Sequence, residues 1–555
     1  MKAEARNKPI SRHAVAPVAL AVLTAVLTAA LAGALVALVG LARAEAPATG
    51  PAGKAIESFF EEEVRRFTRL AASGIPAYQV EAAQGFYYLK HHRGEAALLP
   101  LAGHEAALVR LEAVKALGVC GRREGVEALI ERLADADWEI RANARDALER
   151  MTAAGPFADR AAGRAWLRRS NWRQKQAVLL KQLAGKDKAR VLSALRAIRF
   201  VGDRAAEDEV LRRGPHLGGE AVRRTCLALE RVGTRKALPF LIRMGPHLKE
   251  ACWALAEIGG PGAEEALLKA LKRWGGHRVD AMVNVDRIGS TRCGPHLPML
   301  LQTFGLVIFR AQTDDLQFEP TAFQRAAAKL ILRTGQSQKV VDLILAECEK
   351  RRKDADTPPH LRKILAGMRT ELAPGFVRSD GLTVAQPLAA LPHIIRDRRF
   401  APRLIALLDH PAFLVRIYAA EALAALKAPE GVEPILKVVR TPYGFPDPTN
   451  QVSGKHFDRS RFVRWRGYLC IALGKLGGET ARTNLEALAD DPASYRDIRY
   501  GSVVGLRFLR SPKSLPVLER IVRRDIIWEV RREARAAVRD IELARRLAAV
   551  GSKAR

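Results

Sequence analysis

The feature that most constrains this chain is a pattern it states twice in a row. Between Gly214 and Gly259 it reads Gly-Pro-His-Leu, a helical run, then Cys-x-Ala-Leu-x-x-(Val/Ile)-Gly, and repeats this once. The first copy ends in Cys226, Ala228, Leu229, Val232 and Gly233, the second in Cys252, Ala254, Leu255, Ile258 and Gly259. Val222, Cys226, Leu229 and Val232 stand at helical spacing, which places them on one buried face. Gly233 is expected to end that helix in the left-handed conformation that glycine tolerates. Thr234 can then cap a second helix, with Leu238, Leu241 and Ile242 on its apolar side and Pro239 near its start. Gly245-Pro246 breaks the chain before the next copy. A pair of helices this short cannot hide its apolar face alone, so the pairs must stack on one another.

Taking Leu229 as an anchor, equivalent positions are Leu117, Leu148, Ile198, Leu255, Val285, Ile331, Leu423, Leu473, Leu506 and Val538. Seven residues before the anchor stands an arginine: Arg110, Arg141, Arg416, Arg466, Arg499 and Arg531. Val or Ile usually precedes it, and Pro239, Pro434 and Pro516 follow their anchors at a similar offset. The columns predict an all-α fold, an α-solenoid of about eleven or twelve stacked hairpins wound as a right-handed superhelix.

The residues Asp137-Trp-Glu-Ile-Arg141 with Ala147-Leu148, Val415-Arg416 with Ala419, Ala420, Ala422 and Leu423, and Glu529-Val-Arg531 with Ala534 carry a family likeness. This pattern resembles the HEAT-like repeats of the bacterial, phycobilisome-lyase type, over roughly residues 76–547. The resemblance implies a fold and says little of function. It also implies that the column arginines form a ladder between repeats with nearby acids, as Asp135 with Arg141 and Asp525 with Arg531 would.

In chain order, residues 1–13 are basic and 14–42 carry no charge. Residues 1–44 therefore read as an uncleaved N-terminal transmembrane anchor or a signal peptide cleaved after Ala44. Either reading leaves the N-terminus inside and the body on the exported side of the membrane, anchored, periplasmic or secreted. Residues 45–55 are a linker. Residues 56–372 form an N-terminal repeat array, opened by an amphipathic helix (Phe59, Phe60, Val64, Phe67, Leu70) expected to cap the stack. Around Trp166 and Trp172 an insertion is expected to lay a short helix over the solenoid edge. Residues 373–387 are a break or hinge. Residues 388–548 form a second array, with an insertion at 441–460.

Candidate chemistry is sparse. The six cysteines contain no Cys-x-x-Cys, and Cys226, Cys252 and Cys470 share one small core column, which predicts free, buried thiols. His216, His247 and His296 share the Gly-Pro-His-Leu start, but helices one repeat apart hold them too widely for one zinc ion. His104-Glu105 is one pair where the di-iron HEAT-repeat hydroxylases use several. Arg459, Arg461, Arg464, Trp465 and Arg466 set an indole among four arginines beside the 441–460 insertion, a candidate anion or partner site. There is no Gly-x-Ser-x-Gly, phosphate-cradling glycine loop or His-Glu-x-x-His. No cofactor, metal or catalytic residue is implied.

The net charge of +31 favours acidic partners, if it is more than a solubilising surface. The reading that follows is a non-enzymatic scaffold that binds a protein along the concave face of the solenoid. The alternatives are a basic solenoid that binds acidic polymer, with nucleic acid disfavoured by the leader, and a lyase-type enzyme. Salt separates the first two, because polyanion binding weakens steeply with ionic strength.

Overall fold

The computed structural model describes residues 56–272, 276–301, 304, 322–350, 386–410, 413–441 and 459–553. Among them it forms 27 α-helices and no strand. The first are α1 (Phe59–Ala71), α2 (Pro76–Leu89), α3 (Glu95–Ala102), α4 (Ala107–Cys120), α5 (Arg123–Arg132), α6 (Trp138–Thr152), α7 (Arg160–Arg169), α8 (Trp172–Ala184) and α9 (Lys188–Val201). Next come α10 (Glu207–Arg213), α11 (Gly219–Val232), α12 (Leu238–Met244), α13 (Lys249–Ile258), α14 (Pro261–Ala270), α15 (Gly276–Arg287), α16 (Leu297–Leu301), α17 (Ala322–Arg333) and α18 (Ser337–Lys350). The last are α19 (Gln386–Ile394), α20 (Ala401–Leu407), α21 (Phe413–Ala425), α22 (Val432–Arg440), α23 (Arg459–Leu476), α24 (Glu479–Asp490), α25 (Arg496–Leu509), α26 (Leu515–Arg524) and α27 (Trp528–Lys553).

The helices α2, α4, α6, α9, α11, α13, α15, α17, α19, α21, α23, α25 and α27 pack each upon the next. Every anchor residue lies in this file, from Leu117 in α4 to Val538 in α27. Leu117, Leu148, Ile198, Leu229, Leu255, Val285, Ile331, Leu423, Leu473 and Leu506 are fully buried, and Val538 partly so. The intervening helices fold back to make a second layer, and the buried apolar residues join in one continuous cluster. This is an α-solenoid: successive hairpins bury their apolar faces against one another.

Two local details differ from the sequence reading. Gly233 ends α11 with φ −69°, an ordinary conformation. Its glycine is needed for space, because a Cβ there would collide with the Leu229 carbonyl oxygen and meet Ile258. Gly259 does adopt the left-handed conformation, with φ +73°. Thr234 caps a single 3-10 turn that leads into α12, its hydroxyl accepting from the Lys236 amide.

The amphipathic helix α1 begins at Ser58, whose hydroxyl accepts from the Glu61 amide. It packs on α2, the first helix of the file, and also reaches α15 and α17. Phe59 N donates to Asp286 Oδ2 at 2.6 Å, Arg333 Nη1 donates to Asp286 Oδ1 at 2.6 Å, and Arg325 Nη1 donates to Glu63 Oε1 at 3.0 Å. One short helix thus ties the first repeat to repeats more than two hundred residues away. Tyr78 in α2 is buried, and burial together with Asp540 pushes its phenol up to about 12. The first and last helices of the file therefore lie within electrostatic range of one another.

The expected single-pass anchor, and the exported location built on it, are corrected. Among the described residues no helix is long and apolar enough to cross a membrane. The longest, α27, spans 26 residues but carries Arg531, Arg532, Arg535 and Arg539 along its length. Residues 1–55, positions 373–385 of the 373–387 break and positions 442–458 of the 441–460 insertion lie outside the described residues.

Candidate functional site

The file of anchor helices has two edges, and their chemistry differs. At the C-terminal edge, the ends of α2, α4, α9, α11, α13 and α15 come together around the turn after α2. Lys90 takes the left-handed conformation, with φ 53°, which sends the chain sharply sideways. His91 follows and caps a 3-10 turn made by His92, Arg93 and Gly94.

His91 is buried. Its Nδ1 accepts from the Arg93 amide at 3.4 Å, which leaves Nε2 to carry the proton and donate to Glu257 Oε2 at 3.3 Å. Arg287 at the end of α15 donates to the same carboxylate, and its guanidinium lies over the Phe60 ring, 4.8 Å from the centroid. The His91 ring meets Phe60 edge-on at 4.9 Å and lies 4.1 Å from the His92 ring. Burial holds His91 below the usual imidazole range, against the pull of Glu257. Burial, with His91 and Arg122 beside it, pushes His92 down to about 3. Burial raises Glu257, but the His91 hydrogen bond and the Arg287 charge outweigh it and hold the carboxyl at about 2.

His91, His92 and Glu257 offer ligand atoms within 4.8 Å of one another, the residue types that bind zinc. The surroundings argue against a cation. Arg287 already neutralises Glu257, and Nε2 of His91 faces the guanidinium at 3.0 Å. A metal there would have to displace a positive charge held in place by Phe60.

The N-terminal edge carries several exposed apolar side chains among its charges. Leu108 near the start of α4 is 58% exposed and Trp138, which opens the neighbouring α6, is 71% exposed. In the last repeats Tyr495, Ile526 and Trp528 are 52%, 86% and 55% exposed, at or just before the starts of α25 and α27. Trp138 and Trp528 occupy one repeat column, each ten residues before its anchor.

The column arginines reach two kinds of acceptor, a carboxylate of the next repeat or a carbonyl of the preceding loop. Arg110 grips Asp135 of the next repeat through Nε at 2.9 Å and Nη2 at 3.0 Å. Arg141, expected to pair with the Asp135 carboxylate, donates instead to the Asp135 backbone oxygen at 2.7 Å. The same division recurs: Arg499 binds the Asp525 carboxylate, and Arg531 donates to the Asp525 backbone oxygen at 2.5 Å. Arg416 donates to the His410 carbonyl. The side chain follows the previous repeat because the loop bearing the aspartate sits between two successive anchor helices. Burial raises Asp135, but the Arg110 fork and the Asp137 amide hold it below the usual carboxylate range.

The structure brings only part of the other sequence candidates into view. Arg466 is buried in α23 and donates to the Val439 carbonyl at 3.3 Å. The side chains of Arg459, Arg461, Arg464 and Trp465 lie outside the described residues. All six cysteines are free and buried, and burial pushes Cys226 and Cys252 up to about 12. His216 and His247 are exposed on successive loops. Trp166 and Trp172 meet edge-on at 6.1 Å with Lys175 Nζ over both rings, on the inserted pair α7 and α8. The His91 node was not among the sequence candidates.

Family profiles find HEAT repeats at residues 67–154 and 456–539 and a PBS lyase HEAT-like repeat at 415–441. No curated protein is a match. Among solved structures, importin beta in an ammonium sulfate condition is 13% identical, with a TM-score of 0.36, over 80% of this chain and 60% of that one. Kap121p bound to Pho4p is 12% identical, with a TM-score of 0.25, over 87% of this chain and 46% of that one. A β-catenin structure from a study of its interaction with cadherin is 13% identical, with a TM-score of 0.21, over 86% of this chain and all of that one. Likenesses this distant carry no functional argument.

Proposed function

We propose that the chain is a non-enzymatic scaffold that holds a protein partner on its repeat array. The observation that carries this reading is the exposed apolar row at the N-terminal edge: Leu108, Trp138, Tyr495, Ile526 and Trp528. Large apolar side chains left in water at several helix starts, two of them (Trp138 and Trp528) in one repeat column, suit a partner that covers more than one repeat, and Trp and Tyr are the residues that anchor such contacts. Part of the anchor-helix face is already covered by α1, which favours the edge over the full concave face.

The test is affinity capture with the parent chain and with Trp138→Ser and Trp528→Ser variants, at low and high salt. A partner that survives high salt and is lost from the variants supports the scaffold. Capture that disappears with salt and ignores both tryptophans contradicts it and favours the alternative, a basic surface for acidic polymer, which the +31 charge would serve.

A further inference from the structure

Beside the His91 node the C-terminal ends of α4, α9 and α11 enclose a recess. Lys90, His92, Arg122, Arg199 and Arg231 line it, with Glu230 as the single carboxylate, over a floor that includes Cys120 and Phe200. Its enclosed part is about 20 Å³, room for about one water, and it opens to solvent. None of Lys90, Arg122, Arg199 and Arg231 has an ion-pair partner among the described residues. The Nε atoms of Arg122 and Arg231 are buried without any hydrogen-bond partner.

Two of the four carboxylates within electrostatic reach of Arg122 are committed elsewhere, which leaves Glu124 and Glu230. Glu95 Oε1 accepts from the amides of Arg122 and Gly125 at 2.5 and 2.8 Å. Glu257 is taken by His91 and Arg287. A buried donor with no acceptor costs free energy that a ligand can return, and a guanidinium fork matches an oxyanion's paired oxygens.

We infer that this recess binds a small oxyanion, a phosphate or sulfate group, seated at its mouth between Arg122, Arg199, Arg231 and Lys90. The anion is free in solution or the terminal group of a larger ligand. The charge balance excludes the zinc reading of the neighbouring histidines at the same time, because the ring of cations repels a metal ion and attracts its opposite.

The experiment is calorimetric titration of the purified full chain with inorganic phosphate and with sulfate, at constant ionic strength. Saturable binding is expected, weakened tenfold or more in Arg122→Gln and Arg231→Gln. Glu230→Gln removes the one carboxylate lining the recess and should tighten binding severalfold, a gain that a misfolded variant cannot mimic. A phosphate monoester run in parallel distinguishes the sources: equal or tighter binding indicates a terminal group, weaker binding a free anion. No saturable binding across the millimolar range, or binding indifferent to Arg122, Arg231 and Glu230, overturns the inference. So does zinc binding that depends on His91, His92 and Glu257.

Discussion

At the residue scale, the ladder and the His91 node make different demands. Arg499 and Asp525 form a buried pair whose side chains are almost fully covered, so removing one charge strands the other. Asp525→Asn should destabilise by about 3–5 kcal/mol, read by chemical denaturation. Arg531→Met, which loses a bond to a carbonyl, should cost about 1–2 kcal/mol. Equal costs would mean that the carboxylate is not the bond between repeats. The node is sensitive to pH. His91 and His92 are held below the ordinary 6.5, so the folded state resists protons that the unfolded chain accepts. Their contribution is complete above pH 6.5 and is lost as pH falls below it, for His92 down to about 3, with a slope of up to about 1.4 kcal/mol per pH unit for each histidine. Asp286 and Glu81 are raised by burial to about 6 and 7, so their contributions run the other way and are lost as pH rises. A His91→Gln, His92→Gln double variant isolates the histidines: its melting temperature should fall less than the parent's between pH 6.5 and 4.5. Parallel profiles would contradict the assignment.

At the element scale, helix ends and close helix contacts explain what the sequence could and could not disclose. The anchors were legible because each stands in a helix that repeats the same contact. The node was not, because Glu257 and Arg287 stand 166 and 196 residues from His91. A weaker signal was present: Arg231, Glu257 and Arg287 each stand two residues after an anchor, a charged column at the end of a buried helix. A second ladder also went unread. Glu95 and Glu207, near the starts of second-layer helices, accept from amides of the loops 27 residues on, at Arg122 and Thr234. The helices α23 and α25 meet backbone to backbone, so that a Cβ on Gly501 would collide with the Gly467 backbone. Gly501→Ala gains about 1 kcal/mol in helix propensity but overpacks rigid backbone at about 1–3 kcal/mol. It should lower the melting temperature, while Gly103→Ala, whose Cβ meets nothing closer than 3.7 Å, should not. A stabilised Gly501→Ala would show that the two helices stand further apart.

At the scale of the whole molecule, two departures from a simple stack matter. The amphipathic helix at the start was expected to close one end, and its apolar pattern was readable. That it also reaches Asp286, Arg325 and Arg333 was not, because a helix pattern states which face is buried and not what covers it. The repeat columns likewise state that hairpins succeed one another but not how near the ends of the file approach, as Tyr78 and Asp540 do. The central claim is that each hairpin is held by its neighbours in one continuous file. Hydrogen exchange by mass spectrometry on Leu229→Asp, a buried charge worth about 3–5 kcal/mol, tests it most directly. Protection should be lost in α9, α11 and α13 and kept in α21 and α23; uniform loss along the whole chain would contradict a file of neighbours and point to a single shared core.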